Sequence, residues 1–415
     1  MYLHSVEAVN FRGFKRLKSE FKEKFTILCG PNASGKSSIL YAIAHAYSHY
    51  DSDESTLDSE TAIKVEITNK ENEREFIGRN RGSFESNGYR NSNLRNFSDD
   101  FFPGTSTLVR ASSNNYKKIN FFFIGPQRTI DYRSIQGMVK EPIVEDSQQK
   151  YCISSVKSLK CSVTPNIKQW IINRYFIIEK DWAEIERKNW TVLIEYLDRI
   201  SDGNKIFKYL RTGKDLEPLF NLDEKEVHLE QLSSGYKSIC SIIFSIVEWI
   251  ESTNKDSDAL IENATGVVFI DELELHLHPS WQIKIKNVLT DLFKSMQFVV
   301  TTHSPHIIND ANKNELGILD NPDNSIIVNF LDKGLANWKV DYIFSDIMGF
   351  ESNSENAIYE TIQKVEDFIS NKQYSLAIEE VDAYEKFSHV NDHLPRYLKN
   401  KIYRLMEVEG VDNND

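Results

Sequence analysis

The chain has 415 residues, of which 40% are hydrophobic and 27% are charged, and its formal net charge is −13. These proportions are typical of a soluble globular protein of two or three domains. The acidic charge argues against a protein that is coated with basic surface for nucleic acid. For the basic residues at 11–18, a solvated surface segment is favoured over a local nucleic-acid patch, and both alternatives stay open.

The sequence also argues against secretion and against membrane insertion. No apolar run reaches the roughly 20 residues that cross a bilayer, and the most apolar stretch, residues 239–250, predicts a buried helix. The first ten residues lack the basic and apolar regions of a secretory signal. The four cysteines form no CxxC pair, which indicates reduced thiols. We therefore expect a cytoplasmic protein without a membrane partner.

The first part of the chain predicts strands around one helix. Residues 24–30 form an apolar run that ends in glycine, and residues 37–47 place apolar side chains at helical spacing. Residues 62–68 alternate between apolar and charged, as in a half-buried antiparallel strand. The polar segment 81–100 predicts a long mobile loop, and residues 119–125 predict another buried strand.

The middle of the chain predicts an insertion followed by a parallel sheet. Residues 131–228 predict a partly helical insertion without the sustained heptads of a coiled-coil arm. Two apolar strands at 265–271 and 296–302 enclose a predicted helix at 279–295. Strand, helix and strand in this order are typical of a parallel sheet that is covered on both faces.

A phosphate-binding loop follows the first apolar strand. GPNASGKSS, residues 30–38, fits the pattern G-x-x-x-x-G-K-[ST], with Gly30, Gly35, Lys36 and Ser37 in its fixed positions. Glycines let backbone amides surround phosphate oxygens, and the start of the next helix adds its positive end. We expect Lys36 to neutralise the β- and γ-phosphates of ATP and Ser37 to bind Mg²⁺. Further candidate nucleotide contacts in this loop are Asn32, Ser34 and Ser38.

Polar residues follow the other apolar strands. Asp271 is a candidate for the magnesium shell, and Glu272 is a candidate to orient or deprotonate the attacking water. His303 is a candidate contact of the γ-phosphate or of that water. Gln127 is a candidate to sense Mg²⁺ and water through its amide oxygen. The alternatives of a helix-capping acidic pair, a structural histidine and a plain turn residue stay open.

A zinc site is a weaker alternative for the same region. Glu274, His276 and His278 alternate in the sequence, so on a strand they would share a face. No further convincing ligand set accompanies them, which disfavours a metalloenzyme.

Ser233, Ser234 and Gly235 open a helix-like run in QLSSGYKS, residues 231–238. A serine before an apolar periodic run is typical of a helix N-cap. No base, metal ligand or nucleophile partner stands beside these residues. Taken alone, this stretch therefore favours a cap.

Taken together, GPNASGKSS, Gln127, LSSGYKS, VVFIDE and TTHSP resemble the ABC-type ATPases of the SMC, RecF and OLD class. VNFRGFK near the N-terminus and DELELHLHP are similar to that class too. The resemblance covers roughly residues 1–130 and 228–335. It implies a P-loop α/β fold of ABC-ATPase type with a mixed central sheet and an antiparallel β-subdomain. Outside the resemblance, the residues themselves predict the partly helical insertion and a C-terminal helical hairpin at 355–387 that is broken near Asn371.

The resemblance also implies a second role for the serine-rich stretch. In that class two copies face head to tail, and the LSGGQ-like signature of one copy closes over the γ-phosphate bound by the other. Ser233 matches the signature serine and Gly235 its second glycine, whereas Ser234 replaces the first glycine. The aspartate that usually follows the acidic strand has no clear counterpart, and His276 or His278 is placed in that neighbourhood. The implied assembly is a homodimer, or a higher oligomer, that shares ATP and Mg²⁺.

The resemblance divides the chain into four parts. They are the N-terminal core at 1–130, the insertion at 131–228, the C-terminal core at 229–338 and a helical tail at 339–415. The compact insertion excludes a long-armed SMC protein, and the tail lacks the acidic triad of an OLD-type nuclease.

The organisation most resembles the stand-alone ATPases of bacterial anti-phage operons, of the Septu type or of the PARIS type. That implies a scaffold or sensor for a separate nuclease of HNH or TOPRIM type, with the tail hairpin as candidate docking surface and a phage or nucleic-acid trigger. The alternatives are a RecF-like DNA-repair ATPase that binds DNA ends or junctions, the motor of a membrane transporter, and a scaffold that holds ATP as a structural ligand.

Overall fold

The computed structural model describes residues 1–48, 57–80, 108–110, 117–199, 206–336, 338–348, 353–386, 388 and 392–409. The chain separates into two compact units, Met1–Ile343 and Phe344–Asp415. The predicted loop at 81–100 lies outside the described residues.

The strands of the described ranges all lie in the first unit. In chain order they are β1 (Tyr2–Phe11), β2 (Phe14–Glu20), β3 (Phe25–Cys29), β4 (Leu57–Thr68), β5 (Arg74–Asn80), β6 (Leu108–Arg110), β7 (Phe121–Ile124), β8 (Phe207–Thr212), β9 (Pro218–Leu222), β10 (Lys225–His228), β11 (Gly266–Ile270), β12 (Met296–Thr301), β13 (Leu316–Asp320) and β14 (Ser325–Phe330).

The helices are divided between the two units. The first unit contains α1 (Lys36–Tyr47), α2 (Val144–Ser158), α3 (Ile167–Ile177), α4 (Glu184–Arg199), α5 (Ser234–Thr253), α6 (Pro279–Gln282), α7 (Ile285–Leu292), α8 (Pro305–Asn309) and α9 (Val340–Tyr342). The second unit contains α10 (Asn353–Ser370), α11 (Tyr374–Glu385) and α12 (Leu394–Glu409). Of the helices that the structure describes, none combines the length and the apolar character that a membrane crossing requires.

One mixed sheet organises the first unit. Among the described strands its order is β6-β5-β4-β1-β2-β14-β13-β3-β12-β11-β7. Strands β13, β3, β12, β11 and β7 run parallel to one another, whereas β2, β1, β4 and β5 pair antiparallel. The predicted mixed α/β fold is thus confirmed, and its antiparallel part is continuous with the parallel part.

The parallel half of the sheet is buried on both faces. Every residue of β3, β7, β11 and β12 is buried, as near-continuous apolar strands require. Because these strands are parallel, their carboxyl ends meet at one edge of the sheet, where open α/β sheets bind ligands.

The insertion is more mixed than its sequence suggests. It contains α2, α3 and α4 and a separate antiparallel sheet of order β10-β9-β8. Trp170 and Trp190 are buried with ring centroids 5.9 Å apart, whereas Trp182 is exposed. Trp170 also lies 5.8 Å, between ring centroids, from Phe244 of α5, so the insertion packs its aromatic side chains against the C-terminal core.

Two local expectations need correction. The helix expected at 279–295 is two helices, α6 and α7, because the Lys284 N–H bonds the Trp281 carbonyl in a three-residue turn and interrupts the α-helical pattern. Residues 273–276 form turns and residues 277–278 have no regular secondary structure, so Glu274, His276 and His278 do not alternate on a strand.

The hairpin predicted at 355–387 is confirmed as α10 and α11, which are separated at residues 371–373. A third helix, α12, packs with them around Val365, Val381 and Ile402.

Strand β7 and helix α2 approach closely at Gly125. A Cβ added at Gly125 would lie 1.8 Å from the Ser158 carbonyl oxygen. The Ser158 hydroxyl donates to the Phe123 carbonyl at 2.8 Å and accepts from the Gly125 N–H at 3.2 Å. Only glycine fits this contact.

We expect Gly125→Ala to lower the free energy of unfolding by about 1–3 kcal/mol or more, since backbone must move to admit the methyl group. Gly334→Ala is the matched control, because its Cβ would meet only contacts of 3.5 Å or longer. Urea unfolding of both variants measures the difference. Equal stability of the two variants would contradict the close approach.

Candidate functional site

The phosphate loop joins β3 to α1 at the carboxyl edge of the sheet. Gly30 and Gly35 have φ of 152° and 99°, and Ala33 has φ of 61°, so the loop curls through conformations that favour glycine. A Cβ at Gly35 would lie 2.2 Å from the Ile326 side chain. Position 35 therefore requires glycine for two reasons, the positive φ of its backbone and the lack of space for a Cβ atom.

Lys36 is held inside this loop. Its side chain is 7% exposed, and its ammonium group donates to the carbonyls of Gly30 at 3.0 Å and Pro31 at 2.9 Å. Burial lowers the pKa of Lys36, while the thiol of Cys29 and the carboxylates of Glu274 and other acidic residues oppose that shift. The charge of Lys36 thus lies at the mouth of the loop beside an acidic cluster.

Two further features of the loop suit a phosphate ligand. The hydroxyl of Ser34 is buried and has no hydrogen-bond partner in the described structure. Helix α1 begins at Lys36, so its free backbone amides open onto the loop. Phosphate oxygens in the loop would accept hydrogen bonds from the Ser34 hydroxyl and from the free backbone N–H groups of α1.

Asp271 links the phosphate loop to the neighbouring strands. It directly follows β11 and is 4% exposed. Its Oδ1 accepts the Ser37 hydroxyl at 3.0 Å and also the hydroxyl of Thr301, the last residue of β12. Hydroxyl and carboxylate oxygens are the ligands that Mg²⁺ prefers. The donor set of Ser37 and Asp271 therefore fits that ion together with nucleotide phosphates.

Glu272 lies beside this pair in an unusual conformation. Its φ is 53°, and its backbone N–H donates to the Thr301 hydroxyl at 2.8 Å. Burial raises the pKa of the half-buried Glu272 carboxyl, and the charges of Asp271 and Glu274 raise it further. A carboxylate with a raised pKa is a suitable proton acceptor.

Glu274 holds the turn that follows β12. Its carboxylate accepts the Thr302 hydroxyl and the His303 backbone N–H, both at 2.7 Å. The His303 ring is half-buried, and its pKa is lowered by burial first and by Lys36 second. His303 is therefore neutral near pH 7 and lies in the electrostatic field of Lys36 and Asp271.

Arg128 is a site residue that the sequence did not reveal. It is 1% exposed, and its guanidinium donates to the carbonyls of Asp271, of Glu272 at 3.0 Å and of Leu273 at 3.3 Å. Burial lowers its pKa to about 10, opposed by the nearby carboxylates, so it stays charged. The sequence feature that could have indicated Arg128 as a site residue was its position next to Gln127, just after a buried strand.

The signature stretch starts α5, away from the phosphate loop. Ser233 stands at the N-cap of α5, yet its hydroxyl caps no backbone N–H. Ser233 and Ser234 are exposed, and no side-chain hydrogen bond within the described residues joins them to the loop at 30–38. The helix start is thus free to meet a ligand from outside this chain.

The segment after Glu274 packs against the signature. A Cβ at Gly235 would lie 3.2 Å from the His276 carbonyl oxygen, and the Ser238 hydroxyl donates to the Leu275 carbonyl at 3.1 Å. His276 and His278 are exposed. The backbone around His276 therefore packs against the start of α5 within the same chain, and the role predicted for His276 or His278 across a dimer stays a prediction.

Gln127 has no hydrogen bond to the other predicted residues within the described part of the chain. It is exposed, makes no side-chain hydrogen bond in the part of the chain that is described, and borders a cavity next to α2 and α5. No cluster of three or more His, Cys, Asp or Glu suited to a metal ion occurs among the described residues. The zinc alternative thus gains no support.

Buried ion pairs join the insertion to α5 and to the residues just before it. Lys168 on α3 is 2% exposed and contacts Glu217 and, at 2.8 Å, Glu230, which lies three residues before Ser233. Arg174 on α3 contacts Glu251 of α5 at 2.7 Å, and both are almost fully buried. Asn189 of α4 donates to the same glutamate at 3.1 Å.

The chain matches a known family model along most of its length. Residues 25–309 match the family described as "AAA domain, putative AbiEii toxin, Type IV TA system". This range begins at β3 and ends with α8, so it contains the phosphate loop, the signature and the acidic strand.

Relatives and solved structures extend the comparison. The Septu protein PtuA of Bacillus thuringiensis is 25% identical over 408 residues, which cover 95% of this chain and 96% of that protein. The retron Ec83 probable ATPase of Escherichia coli is 34% identical over 125 residues, which cover 30% of this chain and 23% of that protein. An SMC head bound to the C-terminal winged-helix domain of ScpA has a TM-score of 0.45 and 14% identity, covering 80% of this chain and 98% of that chain.

Arg128→Met should lower the free energy of unfolding by about 3–5 kcal/mol, because buried carbonyls and carboxylates lose their compensating charge. Arg133→Met is the matched control, since Arg133 is exposed and donates to the Thr164 hydroxyl at 3.1 Å. Denaturant unfolding without nucleotide measures both variants. If Arg128→Met is as stable as Arg133→Met, the guanidinium does not support the acidic segment.

Proposed function

This chain belongs to the AAA-domain family whose model spans residues 25–309, and from that premise we propose that it is an ATP-hydrolysing subunit of an anti-phage defence complex. In this proposal it binds ATP between two copies of itself and regulates a separate nuclease. The cytoplasm is the compartment that such a role implies.

One observation carries the ATPase proposal. The Ser37 hydroxyl and the Asp271 carboxylate, 234 positions apart in the chain, meet at 3.0 Å beside the buried Lys36. Ser37 is the second residue of the helix after the phosphate loop, and Asp271 follows β11, which is separated from β3 by the parallel strand β12. A cation, a hydroxyl and a carboxylate at this edge form the arrangement that phosphoryl transfer needs.

Each residue then has a defined task. Lys36, which donates to the carbonyls of Gly30 and Pro31, would contact the phosphates. Ser37 and Asp271 would hold Mg²⁺, which would neutralise phosphate charge. Glu272 accepts the proton of the attacking water as a carboxylate. His303, neutral near pH 7, orients that water or the γ-phosphate.

The same proposal assigns the signature to the partner's nucleotide. Ser233 and Ser234 are exposed at the start of a 20-residue helix, and the Ser233 hydroxyl makes no hydrogen bond to a backbone N–H of that helix. Free amides at a helix start favour a phosphate. Two chains facing head to tail would each complete the other's pocket, and Gln127 would join it upon closure.

The defence role rests on the similarity to relatives. The match to a Septu protein spans nearly the whole of both chains, whereas the match to a retron ATPase is confined to about a quarter of that relative. The nuclease is of HNH or TOPRIM type, and a phage product or nucleic acid is the trigger in this proposal. The second unit, with its own apolar core in α10 to α12, is the candidate docking part. Co-purification with an HNH-type or a TOPRIM-type protein encoded beside this chain would distinguish the two.

Mixing two inactive variants tests the shared pocket. Lys36→Ala removes the loop cation and Ser233→Arg blocks the signature, so each protein alone should not turn over ATP. In an equal mixture, random exchange makes half of the dimers mixed, and each mixed dimer has one intact pocket. We expect about a quarter of wild-type turnover for independent pockets in a two-fold dimer.

The control for this experiment is a single chain that carries both substitutions. Mixed with wild type, it forms dimers in which each pocket has one defect, so the mixed dimers add no turnover. Phosphate release and a size measurement of the mixed dimer are read together. No recovery from verified mixed dimers would refute a pocket that is shared between chains.

Glu272→Gln should keep ATP binding and lower turnover by about 10²–10⁴-fold, since the amide accepts no proton. Glu262→Gln, at an exposed glutamate, is the control. Because burial raises the pKa of Glu272, wild-type kcat should fall with decreasing pH at a higher pH than an ordinary glutamate would give. Steady-state rates across pH measure this, and unchanged turnover in Glu272→Gln would remove Glu272 from the reaction.

A further inference from the structure

Strand β12 ends at Thr301, a buried residue to which the proposed reaction assigns no task. Because the parallel register pairs Ile270 of β11 with Val300 of β12, Thr301 lies beside Asp271, the residue that follows β11. On its other side, Thr301 pairs with Leu28 of β3, the strand that leads into the phosphate loop. Thr301 therefore lies between the two segments that form the candidate magnesium site.

The Thr301 hydroxyl makes two hydrogen bonds whose directions are fixed. It accepts the Glu272 backbone N–H at 2.8 Å and donates to Oδ1 of Asp271. Because an amide N–H can only donate, it uses a lone pair of the hydroxyl and leaves the hydroxyl proton for the carboxylate. The same Oδ1 accepts the Ser37 hydroxyl at 3.0 Å. One side chain thus holds a carboxylate oxygen toward the phosphate loop and also holds the backbone of the next residue.

The backbone of Thr301 contacts the same segment. Its carbonyl accepts the Leu273 N–H at 3.0 Å, so the peptide groups on both sides of the Glu272 Cα are bonded to Thr301. Glu272 has φ of 53°, a left-handed conformation that is disfavoured for residues with a Cβ atom. Thr301 therefore stabilises the conformation that sets the direction of the Glu272 side chain.

We propose that Thr301 is a positioning residue for the ATPase reaction, an inference that rests on the proposed function. Its hydroxyl holds Asp271 for Mg²⁺ and holds Glu272 for the attacking water, and Thr301 acts through these two residues. Removal of a group that is hydrogen-bonded to a metal ligand typically lowers metal affinity or activity by about 10–100-fold. Since one hydroxyl serves both acidic residues, metal binding and turnover should change together when it is removed.

The neighbouring threonine has a different set of contacts. Thr302 is also buried, but its hydroxyl donates to Glu274 at 2.7 Å and accepts the Ser304 N–H at 2.9 Å. Within the described ranges, no hydrogen bond joins the Thr302 side chain to Asp271 or Glu272. Of the two threonines before the histidine, Thr301 is therefore the one that serves these two residues.

Nucleotide binding with and without Mg²⁺ tests the proposal independently of turnover. Calorimetry measures the affinity of full-length Thr301→Val for a non-hydrolysable ATP analogue, once with Mg²⁺ and once with a chelator. Valine has nearly the shape of threonine and removes both hydroxyl bonds. We expect the gain in affinity that Mg²⁺ gives the wild-type chain to fall about tenfold or more, whereas affinity in chelator stays near that of wild type because the phosphate loop is unchanged. Thr301→Ser keeps the hydroxyl and should restore the gain.

Thr26→Val is the matched control. Thr26 is a fully buried threonine whose hydroxyl also accepts a backbone N–H, that of Lys22 at 2.9 Å. It lies near the start of β3, at the end of the strand opposite the phosphate loop, so its substitution should leave the gain from Mg²⁺ unchanged. Turnover is measured for the same variants, and kcat should fall about 10–100-fold in Thr301→Val alone. Far-ultraviolet circular dichroism verifies folding, and Thr301→Ala replaces Thr301→Val if the valine variant does not fold.

The outcomes separate this inference from the ATPase proposal. A folded Thr301→Val protein with the Mg²⁺ gain and kcat of an active wild type overturns the positioning role and leaves the ATPase proposal intact. Equal losses of affinity with Mg²⁺ and with chelator, or failure of Thr301→Ser to restore the gain, indicate a purely structural residue and also overturn it. A wild-type chain that neither binds the analogue with Mg²⁺ nor hydrolyses ATP overturns the proposed function and this inference with it.

Discussion

The concentration of negative charge after β11 is the constraint on which the site depends. Asp271, Glu272 and Glu274 lie within four residues, and their repulsion adds to burial in raising the pKa of Glu272. Lys36 approaches from the phosphate loop, and Arg128 lies beneath the segment with its guanidinium on three of its carbonyls. The positive charges of Lys36 and Arg128 offset the free-energy cost of placing three carboxylates at a buried sheet edge. Without them, the carboxylates would be protonated or the turn would open.

The same turn is connected to the signature helix through its backbone. Leu275 and His276 contact Ser238 and Gly235 by carbonyl groups, so the position of α5 depends on the conformation after the acidic strand. On its other side, α5 is joined to the insertion by the buried pair of Arg174 and Glu251. The acidic turn, α5 and the insertion are therefore joined by direct packed contacts.

Much of the site was predictable because its motifs are local. The loop at 30–38 needs consecutive residues of defined type, and apolar runs that end in Asp271 or His303 predict strands with polar ends. Arg128 was missed because a single arginine after a strand belongs to no recognisable motif. Only its burial, which the structure shows, distinguishes it from an ordinary surface arginine. The segment at 274–278 was misjudged as a possible strand because alternation cannot distinguish a strand from successive turns. The break between α6 and α7 was missed because its three-residue turn at Lys284 contains no glycine or proline.

The sequence alone determined the parallel strands, the phosphate loop that follows one of them, and the candidate residues at the strand ends, since periodicity and short-range backbone requirements are written in neighbouring residues. Only the tertiary structure decided which of those residues meet. Ser37 and Asp271 come together because β3, β12 and β11 are adjacent and parallel, and that order is a property of the whole sheet. The burial of Arg128 likewise arises from contacts between segments far apart in the chain, which no local pattern encodes.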